Sequence, residues 1–268
     1  MAQDDAPGEV GATSSDDWRL RAKTTLAADL GPAFPGGPSH KAGAPVILVT
    51  VGPGQHGKSL AFATPSSPAL FLSAAIRAAN LAEAFRSSVR FEDHFSPNGP
   101  SQGVSDGSTQ ALYDFLEQAL GTVVASYQAI EAFANELVQQ HILVPVTLDL
   151  RGRLEDLDAD AIERWASTEQ KLAEVIAPAL GLRPPKKSTW WSNFKLLTRI
   201  RNDTVHLKAA RAYPRSPSGV PDPSVFHELL FTKSMLAFPL TAIAAIEHFH
   251  VGELPTWLVT ARAKASAK

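Results

Sequence analysis

The stretch WWSNFKLLTRIRNDTVHLK, residues 190–208, decides the reading of this chain. Ser188 or Thr189 can cap a helix here, and the helix is expected to run to about Ala210. The apolar run FKLLTRI leads into a polar end that carries Arg201, Asn202 and His206. Asn202 and His206 are i,i+4 and share a helix face. Arg201 and His206 are i,i+5, about 140° apart on a straight helix. For both to meet one ligand, the helix must break or Arg201 must reach around it. Arg199 stands within the same looser spacing of His206. Asp203, beside the arginine, weakens the local positive field unless it points away. A purely structural alternative is an ion pair of Arg201 with Glu131 or Asp203.

This motif lies in an unusual field of charge. From Arg183 to Arg215 the chain has nine basic residues and one acid, a net +8, which leaves −10 for the rest of a chain whose total is −2. Such a patch concentrates anionic ligands. Lys186, Lys187, Lys195, Arg199 and Lys208 are the candidate phosphate-binding residues in it; the alternative is a solvated basic face. Trp190, Trp191 and Phe194 adjoin the patch and either pack a core or stack on bases.

Upstream, SYQAIEAFANELV (residues 126–138) places Tyr127, Glu131 and Asn135 four residues apart on one face of an apolar helix. Buried acids and amides need partners, and Lys171 or Arg201 would suit Glu131. The other reading leaves Glu131 and Asn135 exposed.

Working outward, residues 1–43 are rich in Gly, Ala, Pro, Ser and Asp and read as a largely disordered arm, with one short helix around Asp16 to Leu30. Residues 44–68 read as a short β element, two β-rich runs joined by a glycine-containing loop. Residues 69–250 read as the helical domain. Its helices are expected from Pro68, over Gln110–Gln140, over Asp158–Ala179 with Gly181 as stop, and over Val225–Phe249 with a kink near Pro239. Residues 91–108 read as a loop, HILVPVTLDLRG as a strand-like connector or a helix end, and residues 251–268 as a frayed basic tail. The fold class is therefore mainly α, a bundle of four to five helices with a small N-terminal β-hairpin.

Composition removes several chemistries. The chain has no cysteine, so disulfides, thiolate metal sites and cysteine nucleophiles are excluded. The start MAQDDAPGEV lacks the pattern of a signal peptide, and the apolar run Met235–Ile246 is too short to span a bilayer. A cytoplasmic protein with no membrane partner is expected. EHFH (residues 247–250) and FEDHF (residues 91–95) do not form convincing metal sites. One motif competes with the basic patch: GPGQHGKS, Gly52 to Ser59, matches the P-loop pattern after a strand-like run. A P-loop would use Lys58 and Ser59 on phosphate and magnesium. Pro65 and Pro68 follow too soon for the long helix that such a loop must open.

Taken together, SYQAIEAFANELV, STEQKLAEVIAPALG and WWSNFKLLTRIRNDTVHLK resemble the HEPN superfamily, over about Leu112 to Ala210. The resemblance implies a homodimer with two Arg-Asn-x-x-x-His motifs facing each other. It also implies metal-independent endoribonuclease activity without a cofactor, in which a ribose 2′-OH attacks the adjacent phosphate. His206 would be the general acid or base, Arg201 would stabilise the phosphorane, and Asn202 would orient phosphate or imidazole. Glu131, Asn135 and Lys171 would support them. RNA is the implied substrate, with an antitoxin or other regulatory partner if the protein is a toxin or antiviral defence effector. Other HEPN proteins are non-catalytic RNA- or nucleotide-binding or dimerisation modules, and that is the second expectation.

Overall fold

The computed structural model describes residues 17–21, 23–32, 35, 37–96, 99–205 and 224–267. The chain is mainly helical, with small antiparallel strand pairs. Helix α1 (Ser67–Arg86) begins where the sequence supplies a cap. The Ser66 hydroxyl accepts the N–H of Ala69 at 3.3 Å, and Pro68 occupies the first turn, where no N–H is needed. Its buried face is mostly small: Ala69, Ala75, Ala79 and Ala82 flank Leu72 and Ile76. Small side chains let helix α2 (Thr109–His141) approach closely, and this pair makes the most extensive helix–helix contact.

After α2 come strands at Val146–Leu150 and Arg153–Leu157, which pair antiparallel about Arg151 and Gly152. Both turn residues have positive φ, 59° and 87°, as a two-residue primed turn requires. The Asp149 carboxylate accepts the Gly152 N–H at 2.6 Å and fixes the turn.

Helix α3 (Ala159–Trp165) is capped by Asp158, whose carboxylate accepts the Ala161 N–H at 2.8 Å. At Ala166 the backbone is extended, so the helix expected through Ala179 is interrupted. Ser167 and Gln170 then form a capping box and restart it. This helix, α4, comprises Thr168–Gln170, a wider π-helical stretch Lys171–Ile176, and Ala177–Ala179. It ends at Gly181, φ +65°, where Leu182 N–H reaches the Ala177 carbonyl at 2.8 Å and Gly181 N–H reaches that of Pro178 at 3.0 Å.

Helix α5 (Thr189–Val205) buries Trp190, Trp191, Phe194, Leu197 and Ile200, so these aromatics pack the core. The expected single helix over Val225–Phe249 is two: α6 (Val225–Leu230) and α7 (Ala237–Phe249). Pro239 lies in the first turn of α7, where its missing N–H breaks no bond, so it produces no kink. The segment expected to be a frayed tail contains helix α8 (Thr256–Ser266), whose Trp257, Leu258, Ala261 and Ala265 are buried. Helices α4, α5 and α7 pack on α2, and α8 packs on α1.

The first part of the chain also differs from expectation. Residues 1–16 lie outside the described residues. Within the stretch expected to be helical, Lys23–Thr25 forms strand β1, antiparallel to β2 (Pro45–Ile47). Arg21 N–H donates to the Thr64 carbonyl at 2.9 Å and Ser66 N–H to that of Arg19 at 2.7 Å, which ties this segment to the start of α1. Strands β3 (Val49–Pro53) and β4 (Ser59–Ala63) pair antiparallel. The stretch expected to be a loop after α1 holds β5 (Phe91–Ser96) and β6 (Gly99–Val104), also antiparallel. The pair after α2 is then β7 and β8. Among the described residues no helix is long and apolar enough to cross a membrane.

Candidate functional site

Helix α2 turns Tyr127, Glu131 and Asn135 toward α4, as their spacing of four predicts. Their partners come from the capping box and the π-helical stretch. The Tyr127 hydroxyl lies 2.8 Å from Thr168 Oγ1, and the Thr168 hydroxyl is 3.3 Å from Glu131 Oε1. Burial pushes the Tyr127 phenol above its ordinary value; the Thr168 hydrogen bond opposes that, the Glu131 charge adds to it, and the Arg201 charge opposes it.

Lys171 is 2% exposed, an uncommon place for a lysine. Its Nζ donates to Asn135 Oδ1 and to the Glu163 carbonyl, each at 2.8 Å. Burial lowers the pKa of this amine, while the charges of Glu131 and Glu163 act to raise it. Glu131 thus faces both basic residues that the sequence offers it. It bonds directly to Thr168, and its charge acts on Lys171 through space.

Arg201 completes the seam from α5. Its guanidinium carbon sits 4.7 Å from the centroid of the Tyr127 ring, and Nη1 donates to Asn202 Oδ1 at 3.0 Å. Its Nε is buried without a hydrogen-bond partner, as is Thr204 Oγ1 nearby in sequence. Arg201 makes no ion pair among the described residues, so the expected alternative of a bridge to Glu131 or Asp203 is not formed there. A cation held on an aromatic face, with a buried donor still unfilled, is arranged to accept an anionic oxygen.

His206 and Lys208 lie outside the described residues. Among the other candidates, Lys195 pairs with Glu169, and Arg199 pairs with Glu228 at 3.0 Å and Asp203 at 3.6 Å. These two basic residues are partly neutralised where they stand. Lys186 and Lys187 are exposed on a short 3-10 turn, Pro185–Lys187, and form no ion pair among the described residues. Thr168 was missed by the sequence reading; the capping-box pattern Ser167-x-x-Gln170 was the signal for its helix start.

The glycine-rich loop does not have P-loop geometry. Gly52 and Pro53 end β3, Gln55–Gly57 forms a single 3-10 turn, and Lys58 is extended. Ser59 opens strand β4 rather than a helix, so no helix N-terminus faces the loop. Among the described residues no group of three or more His, Cys, Asp and Glu is placed to hold a metal ion. No protein-family model matches the chain, and no curated protein or solved structure matches it either.

Proposed function

We propose that this chain is a metal-independent endoribonuclease of the HEPN type. The observation that carries the reading is the state of Arg201, which is stacked on Tyr127 and bonded to Asn202, with Nε buried and unfilled. In the proposed reaction a ribose 2′-OH attacks the adjacent phosphorus. The P–O5′ bond breaks, and the products are a 2′,3′-cyclic phosphate and a 5′-hydroxyl. His206 takes the proton of the 2′-OH, or gives one to the leaving 5′-oxygen. Two motifs facing across a homodimer would supply one imidazole for each task. Arg201 neutralises the charge that builds on the non-bridging oxygens, and Asn202 holds the guanidinium in place. The network of Tyr127, Thr168, Glu131, Asn135 and Lys171 positions the platform and does not touch the reacting atoms.

The test is incubation of purified protein with tRNA and mRNA in EDTA. Cleavage is expected to leave cyclic-phosphate ends and to fall about 10²-fold or more in His206→Ala and in Arg201→Ala. Cleavage that needs added magnesium, or that is the same in both variants, overturns the proposal. Binding without cleavage under all conditions favours the non-catalytic RNA-binding reading.

A further inference from the structure

A cavity of about 760 Å³ lies between the β7–β8 hairpin and the junction of α3 with α4. That volume is in the range of ligand pockets. Trp165 lines it and is 64% exposed, whereas Trp190, Trp191 and Trp257 are buried. An indole left in water beside a cavity is a stacking surface. From the hairpin come two cations, Arg151 and Arg153, and two acids, Asp149 and Glu155. None of the four forms an ion pair among the described residues. Asp149 is engaged with the Gly152 N–H, and Gln170 donates to the Asp149 carbonyl at 2.8 Å, so this side of the cavity is tied to α4.

The charge balance selects the ligand. Two cations against two acids give a neutral lining, which is a poor trap for a bare phosphate. It suits a ligand with a flat aromatic part, hydrogen-bond donors on its edge, and an anionic group to one side. We propose that this cavity binds a nucleotide unit, with the base stacked on Trp165, its amino edge on the Glu155 carboxylate, and phosphate on Arg151 and Arg153. The unit comes from an unpaired RNA strand or from a free nucleotide. Ser167 and Gln170 line the cavity, while Thr168 and Lys171 bond toward α2. The first turn of α4 therefore separates the cavity from the Arg201 seam. The proposal does not depend on cleavage.

The experiment uses the full chain carrying His206→Ala, in EDTA, so that RNA stays intact. Fluorescein-labelled six-nucleotide A and U strands are followed by anisotropy, and AMP and inorganic phosphate by tryptophan emission. Strand affinity is expected to fall about tenfold in Trp165→Leu and about threefold or more in Arg153→Ala, with unchanged melting temperature. Saturable quenching by AMP, absent in Trp165→Leu, identifies a free-nucleotide site; a response to strands alone identifies an RNA site; either supports the proposal. Equal strand affinity in Trp165→Leu and the parent, with emission indifferent to AMP, overturns it, as does equal quenching by phosphate alone. Cleavage by the unsubstituted chain is measured separately, so loss of the nuclease proposal leaves this one standing.

Discussion

Lys171 and Asn135 show how one buried pair sets unequal costs for its two members. Asn135→Leu leaves the ammonium with only the Glu163 carbonyl, and should cost about 1–3 kcal/mol in urea denaturation. Lys171→Met keeps the volume and removes the buried charge, so it should cost less, and adding Asn135→Leu to it should cost little more. The pH dependence has a definite sign. Burial holds the Lys171 amine below the ordinary value of 10.5, so the unfolded chain binds that proton more tightly. Stability relative to Lys171→Met should therefore rise as pH climbs from the folded value toward 10.5; a fall over that window would contradict the assignment. At Tyr127, Phe keeps the ring under Arg201 and loses one hydrogen bond, about 1 kcal/mol. Leu removes the platform. RNA cleavage is expected to survive the first change and to drop about tenfold in the second. The face shared by Tyr127, Glu131 and Asn135 was legible because helical spacing is rigid. The identity of the partner was not, because which of Lys171, Thr168 and Arg201 reaches Glu131 depends on how α4 is wound.

Single elements were legible wherever a local signal governs them. Ser66–Pro68, Asp158 and Gly181 set helix ends by their own side chains or backbone freedom, and the sequence points to each. The strand pairs β5–β6 and β7–β8 were not apparent, since runs rich in Gly, Ser and Pro carry weak strand signals and pairing is decided by a distant partner. The split between α6 and α7 was hidden because the apolar pattern continues through it. The β7–β8 turn makes a further prediction. Arg151 sits at φ 59°, a conformation that disfavours most side chains and suits asparagine. Arg151→Asn should stabilise the chain by about 0.5–1 kcal/mol, read as a higher urea midpoint, while weakening strand binding at the Trp165 cavity. A destabilised Arg151→Asn would show that the guanidinium is held by contacts that outweigh the strain.

Across the whole molecule, α8 behaves as part of the core. Trp257 is buried where α8 meets α1, so Trp257→Ala should cost about 3–5 kcal/mol and release the C-terminal segment to proteases. Near-parental stability in that variant would return α8 to the status of a tail. The helical class was legible from composition and periodicity because those sum over many residues. The last helix was not, because ARAKASAK alone is too polar to announce burial. The wide turn at Lys171–Ile176 has a further bearing on the whole. A π stretch holds one residue more than ordinary helical winding allows, so trimming a single residue there would restore the usual pitch. Everything after it would then arrive rotated by about 100° relative to what precedes it. Chain length at this one spot thus acts as a gear tooth: it decides whether the second half of the protein meets the first in phase.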